Sequence, residues 1–407
     1  MSEPFFIIAD GQPVAGTGTP VTVYGLFQGT PDLPELIVYS RSDRQPSGPM
    51  LDTVRGETYP LEFHSEDPGP GWRLARLMQL NHMTVRPRPA TLARHIRGLG
   101  IRRAVLFGPG SDLLLYAVRL LRRLPEVEAT LYVLDDPRTA LKGSRNPFFR
   151  ALASRALKEL LGRCSRRLAI TEELAASLGA EIGAPFEVLP IPVRDDCYMT
   201  FAHGATAATP PTPPSLSVFL CGSLGPTVED SLRCLAQAFQ RLSGDMGLAP
   251  SLVVSGRTPA EVLHRLGFPP DQVHALGWLP SREDVLRSAG KATCTFVPSS
   301  FDARQQHFYE TSFPGRLADY WLAGPPILVH APESSAVARY FRRHDLELVC
   351  DRLEPNAVAE ALGRIVAMSA GERRQHHRRY LDLVARDHLA GQARARLLGA
   401  AGARERS

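Results

Sequence analysis

The sequence predicts an α/β protein made of two doubly wound, Rossmann-like units. Three observations carry that prediction. Apolar runs of strand length alternate with helix-patterned segments through both halves of the chain, the pattern of parallel sheets covered by helices. Residues 201–215, which include AHGATAATPPTPPS, are small and proline-rich and divide the two alternations as a linker would. The length of 407 residues suits two domains of ordinary size. The expected division is a first doubly wound unit over 1–200, a linker over 201–215, a second doubly wound unit over 216–370 and a basic helical tail over 371–407.

In order, PFFIIAD (4–10) reads as the first strand. A glycine-rich loop with Gly16 and Gly18 follows, then a helix whose start suits Pro20. LIVYS (36–40) is a second strand, and 41–70 reads as irregular. AVLFG (104–108), TLYVLDD (130–136) and RRLAI (166–170) are further strands, with helices expected at 111–123, 147–162 and 171–179. Asp135 and Asp136, before Pro137, fall at a strand's carboxyl end, where ligands of open parallel sheets sit. A carboxylate there can bind hydroxyls or take a proton, but an ordinary Asp-Asp-Pro turn is the simpler account. Thr171 is placed to cap the helix that follows, and EVLPIPV (187–193) reads as the strand that closes this half.

The second half repeats the scheme. Strands are expected at 216–222, 251–256, 272–279, 292–298, in PILVH and in LELVC, with helices at 229–243, 259–266, 281–289, 334–343 and 355–367. In FYETSFPGRLADYWLAGPPILVH (308–330), Ser312 is expected to cap a helix, Pro314 to occupy its first turn, and Gly324-Pro325-Pro326 to end it. Phe313, Leu317 and Trp321 form an apolar stripe, while Ser312, Arg316 and Asp319 share a polar line.

Composition narrows the classes. Hydrophobic content of 44% and charged content of 22% are those of a globular protein. No apolar run reaches the roughly 18 residues of a membrane span, and MSEPFFIIAD makes a poor signal peptide. The six cysteines show no CxxC spacing, so a reducing cytoplasm is expected and no disulfide framework or zinc site is. The net charge of +5 is uneven: Trp72 to Arg103 holds eight arginines and no acid. Leu141 to Arg167 holds eight basic residues against Glu159 alone. Such stretches meet an anionic membrane surface peripherally or form a solvated face. Without interleaved aromatics they do not make a nucleic-acid surface.

The run SFPGRLADYWLAGPPILVH resembles the signature of nucleotide-sugar glycosyltransferases of the GT-B fold, particularly family 4. The resemblance implies that the Ser312-Phe313-Pro314 turn contacts the donor diphosphate and that Asp319 binds the ribose hydroxyls. Two departures stand out: the acid is Asp rather than Glu, and the family's first Glu falls on Thr311, with Glu310 one place off. Gly277-Trp278-Leu279-Pro280 resembles the family's nucleobase segment, and Pro298-Ser299-Ser300-Phe301 the strand-end segment next in line. Asp135-Asp136-Pro137 resembles the family's His/Tyr-x-Asp-x-Pro turn without its His, and the Thr171 segment its "ISEEM" step; with the Gly16/Gly18 loop these lie on the implied acceptor side.

Gly222 and Ser223 end one strand and allow close backbone approach; Arg257 and Arg316 supply the cations that the family's Arg/Lys pair usually provides. Arg316, as stabiliser of the leaving diphosphate, and Asp136 are the expected catalytic residues. No Asp-x-Asp motif follows an apolar strand, so no metal and no cofactor is expected, the nucleotide-diphosphate sugar being the donor substrate. The His pair of RRQHHRRY is expected on a solvated helix face. The expected activity is transfer of a sugar, with retention, to a glycan, lipid-linked glycan or small metabolite. An epimerase or hydrolase on the same fold, or a catalytically degenerate partner subunit, are the alternatives.

Overall fold

A computed structural model describes residues 3–12, 19–41, 57–62, 85–108, 111–142, 147–204, 215–222, 224–225, 227–279 and 281–399. The chain divides into two units, Met1–Pro190 with Ala390–Ser407, and Ile191–Leu389.

Unit 1 is a parallel sheet of β1 (Phe5–Ala9), β2 (Leu36–Arg41), β3 (Glu57–Glu62), β4 (Arg103–Phe107), β5 (Glu128–Val133), β6 (Arg166–Ala169) and β7 (Glu187–Val188). Its order is β3-β2-β1-β4-β5-β6-β7. Every residue of β1, FFIIA, is buried, as a central strand covered on both faces requires. The chain turns from one side of β1 to the other between β3 and β4, which makes β1/β4 the topological switch point. The irregular segment expected at 41–70 contains β3, and the expected strand at 187–193 shrinks to the two residues of β7. Leu189 and Pro190 turn their carbonyls to the buried hydroxyl of Tyr132 instead.

Unit 2 holds β8 (Ser215–Cys221), β9 (Ala249–Ser255), β10 (Val273–Gly277), β11 (Cys294–Pro298), β12 (Ile327–His330) and β13 (Val349–Cys350). They pair in parallel in the order β10-β9-β8-β11-β12-β13. Its switch point lies between β8 and β11. The helices Glu229–Asp245 and Pro355–Ala367 pack together on one face of this sheet. They join a core that includes Leu216, Val218 and Leu220 of β8 with Phe239, Phe296 and Leu362.

The division differs from the expected one. The helix Asp195–Gly204 packs on the helix Leu317–Ala323 of unit 2, so the boundary falls ahead of the proline-rich stretch, whose residues 205–214 lie outside the described ones. The expected tail is also divided. The helix Ala370–Leu383 belongs to unit 2, where Arg373 is buried and donates to the Thr293 carbonyl at 2.9 Å. His377 is buried beside Gly324 rather than on a solvated face. The helix Ala390–Leu397 belongs to unit 1, where Arg394 donates to the Leu26 carbonyl at 2.8 Å. Within unit 2 the entering and leaving segments are joined: Val193 pairs with Leu389, and the Val193 N–H donates to the His388 carbonyl at 2.6 Å. The His388 Nδ1–H donates to the Ile191 carbonyl at 2.7 Å.

All six cysteines are buried free thiols. Among the described residues no helix is long and apolar enough to cross a membrane.

Candidate functional site

The residues singled out in unit 2 gather at the carboxyl ends of its strands. β8 ends at Cys221, and Gly222 follows at φ +105°, a conformation natural to glycine. Beside it, Gly256 at φ +149° leaves so little room that a Cβ would meet the Gly222 carbonyl oxygen at 2.5 Å. The β8 and β9 ends therefore approach backbone to backbone. The Gly256 N–H reaches on to the Gly277 carbonyl at 2.9 Å, which ties the end of β10 to the same place. Ser223 and Pro280 lie outside the described residues.

The turn after β11 departs from expectation. Ser312 does not begin a helix; it ends the short helix Gln306–Thr311 in extended backbone, and its Oγ has no hydrogen-bond partner among the described residues. The next helix is Leu317–Ala323, with Arg316 at its N-cap. Its first turn is drawn tight by bonds from Leu317 N–H to Pro314 and from Ala318 N–H to Gly315. Pro314 and Gly315, the poorest helix formers of the run, are left outside. The apolar stripe survives: Phe313, Leu317 and Trp321 are all buried, with the Phe313 and Trp321 rings 6.2 Å apart.

Arg316 turns its guanidinium to Gly222, where a Cβ would stand 3.7 Å from Nη2, and its buried Nη1 has no hydrogen-bond partner among the described residues. Asp319 is ion-paired to Arg282, the first residue of the helix Arg282–Gly290, through Nε and Oδ1, with both side chains mostly buried. These charges converge on the end of β8. Burial pushes the Cys221 thiol up to about 11; Asp319 adds to the rise, and Arg316 and Arg282 oppose it. The Cys221 N–H donates to the buried Tyr320 hydroxyl at 2.8 Å, fixing the helix against the strand end.

The remaining positions surround this centre. The Arg257 guanidinium lies 5.3 Å from the centre of the Trp278 ring, a cation–π arrangement. Trp278 is 41% exposed and Leu279 half-buried. The Ser299 N–H continues the β11–β12 pairing by donating to the His330 carbonyl at 2.9 Å. The next two residues are held by Asp230, which accepts from the Phe301 N–H at 2.6 Å and the Ser300 hydroxyl at 3.2 Å. Ser231 donates its hydroxyl to Nδ1 of the buried His330 at 2.7 Å, with Nε2–H on the Arg352 carbonyl. Burial brings the His330 pKa down to about 4. Thr311, where the family's first Glu was sought, is buried and gives its hydroxyl to the His307 carbonyl; Glu310 accepts from Gln306.

In unit 1 the acceptor-side residues divide. Gly16 and Gly18 lie outside the described residues. Thr171 caps the helix Glu172–Ile182, its hydroxyl accepting from the Leu174 N–H at 3.0 Å. Asp136 is buried and committed to Arg138, accepting from its backbone N–H at 2.9 Å and from its guanidinium, which also holds Glu181. That geometry is a charge-stabilised turn, and Asp135 beside it is exposed. Sequence reasoning did not find Arg282, Asp230 or His330. Their signal is a partner distant in sequence, 37 residues for Arg282 and Asp319.

No family model matches the sequence, and no curated protein does either. Solved structures are similar to it in fold. The α,α-trehalose-phosphate synthase (UDP-forming) of Burkholderia xenovorans, in complex with glucose-6-phosphate, is 12% identical with a TM-score of 0.66, over 97% of this chain and 99% of that one. The E. coli trehalose-6-phosphate protein bound with UDP-2-fluoro glucose is 13% identical, with a TM-score of 0.64 over 98% of each chain. The N-terminal domain of Candida albicans trehalose-6-phosphate phosphatase is 10% identical with a TM-score of 0.62, over 99% and 98%. The fold is therefore of the GT-B class, two doubly wound Rossmann-like units.

Proposed function

We propose that the chain is a glycosyltransferase that binds a nucleotide-diphosphate sugar in unit 2 and transfers the sugar to a hydroxyl of a second sugar, a glycan or a lipid-linked glycan. One observation carries this reading. At the switch point, Arg316 offers a buried nitrogen with no partner among the described residues beside Gly222, and Asp319 follows three residues on. The motif resemblance implies Asp319 for the ribose; Arg316 is our own assignment for the cation that meets the diphosphate. Gly277, Trp278 and Leu279 would receive the base, with Arg257, Ser299 and the 312–314 turn completing the donor site.

A buried guanidinium nitrogen without a partner is costly unless an acceptor meets it, and an anion is the best acceptor. In glycosyl transfer, negative charge builds on the departing diphosphate as the sugar becomes oxocarbenium-like. Arg316 would stabilise that charge as it develops, in a site already organised before reaction. The similar structures include a trehalose-6-phosphate synthase studied for glycosyl transfer with retention, which supports the same stereochemistry here. Family 4 membership rests on the motif alone. A cytoplasmic location, with or without contact to an anionic membrane surface, is part of the same proposal.

A thermal-shift screen against UDP-, GDP- and ADP-sugars tests the donor half directly. Ligand at about 100 times its dissociation constant stabilises by about 2.7 kcal/mol. A clear shift with one donor, followed by product with a sugar or sugar-phosphate acceptor, is expected. Absence of a shift with all donors overturns the reading. Thr311, hydrogen-bonded within its own helix where the family carries Glu, favours a second reading, a donor-binding partner subunit. Binding without turnover in the presence of acceptor would select it.

A further inference from the structure

Resting on the donor reading above, we propose that Arg282 is the positioning residue of the ribose subsite. It fixes the Asp319 carboxylate by one oxygen, so that the other reads a single ribose hydroxyl. The geometry is specific. Arg282 Nε takes Oδ1 of Asp319, and Oδ2 has no protein partner among the described residues. The two side chains are 17% and 19% exposed, so the pair is largely withdrawn from water. They come from the adjoining helices Arg282–Gly290 and Leu317–Ala323, which pack closely enough that a Cβ on Gly290 would stand 3.1 Å from the Ala323 carbonyl.

An unrestrained carboxylate accepts two neighbouring hydroxyls, one on each oxygen. Asp319 cannot use both equally, because Oδ1 is engaged by a charged donor. Its side chain is also one methylene shorter than a Glu, so Arg282 sets both its direction and its reach. The guanidinium holds orientation as well as charge, which a lysine would do only in part. The pair also leaves the end of β8 with two cations, Arg282 and Arg316, against one carboxylate. That balance suits a ligand carrying both phosphate and hydroxyl groups.

The test uses the full chain and measures by calorimetry the binding of UDP, GDP and ADP, and of the 2′-deoxy and 3′-deoxy forms of the one that binds. In the wild type, one deoxy form is expected to bind about tenfold or more weaker and the other nearly as well as the parent, since a site built on a hydroxyl rejects the analogue lacking it. Arg282→Gln is expected to weaken the parent by about tenfold and to abolish the difference between the deoxy forms, with Arg282→Lys restoring it in part. In an Asp319→Asn background, adding Arg282→Gln should cost little more, because Arg282 acts through the carboxylate. That double variant also removes both buried charges together and preserves the fold where a single one fails. Unchanged discrimination in Arg282→Gln, equal loss with both deoxy forms in the wild type, or additive losses in the double variant each overturn the positioning role while leaving nucleotide binding intact. If none of the three diphosphates binds the wild type, both this role and the donor reading fall.

Discussion

Arg316 and Asp319 share a polar line but engage different neighbours. Three residues apart on a polar line, they could simply have paired. Asp319 instead holds Arg282, and Arg316 keeps a nitrogen without a partner among the described residues. Arg316→Ala should therefore leave the melting temperature within a few degrees. It should lower kcat on the order of a hundredfold, more than it weakens donor binding. Paired thermal and steady-state measurements on one variant check this; a stability loss with unchanged kcat would assign Arg316 to the fold. Asp319→Ala is a harsher change, because it strands the buried Arg282, at a cost of roughly 3–5 kcal/mol for a fully buried pair and less here. Asp319→Asn keeps the shape and should weaken nucleotide binding by about one to two decades, read by calorimetry. Both proposed positions were legible from a local stretch of sequence. Arg282 was not, since only the packing of two helices brings it to Asp319.

At the scale of elements, the alternation of apolar runs located the strands of unit 2, which are short and mostly buried, the exposed edge strand β10 excepted. Element ends were less legible. Ser312 and Pro314 are ordinary signs of a helix start, yet the helix begins at Leu317, where the Phe313 ring has already docked 5.0 Å from Tyr340. β3, ETYPLE, escaped because its proline and charges mark it as irregular, and an edge strand tolerates both. The tightest element contact gives a prediction of its own. Gly256→Ala would drive a Cβ into the Gly222 carbonyl at a φ suited only to glycine. It should cost roughly 1–3 kcal/mol and weaken nucleotide binding by displacing the β8 end. Denaturant titration and calorimetry on this variant, against Gly244→Ala, where a Cβ meets nothing within 4 Å, separate strain from the substitution itself.

At the scale of the molecule, two buried histidines make stability depend on pH. Burial brings His330 and His388 down to about 4, whereas a histidine in the unfolded chain takes up its proton near about 6.5. Between those values the unfolded chain binds more protons, so stability rises with pH across the window and is lost as pH falls through it. Each histidine should cost on the order of 2 kcal/mol between about pH 7 and pH 5. Urea midpoints for the wild type and His388→Gln at both pH values test this; the variant should lose less on acidification. Equal losses would remove His388 from the account. The two-unit plan itself was legible, but its boundary was not. Proline-rich composition marks a flexible stretch, whereas the division follows where helices pack, and the helix Asp195–Gly204 packs with unit 2.

The joined segments at Val193 and Leu389 have a topological consequence. Unit 2 is a cassette threaded into unit 1 between Pro190 and Ala390, and its two ends are stitched to each other by its own backbone and by His388. A cassette with adjacent ends carries its closure with it. Residues 191–389 expressed alone should fold and retain nucleotide binding. Unit 1 rejoined by a short glycine-serine bridge from Pro190 to Ala390 should recover its last helix against Thr19–Phe27. Circular dichroism and calorimetry on the two halves would establish whether the donor site travels with the cassette.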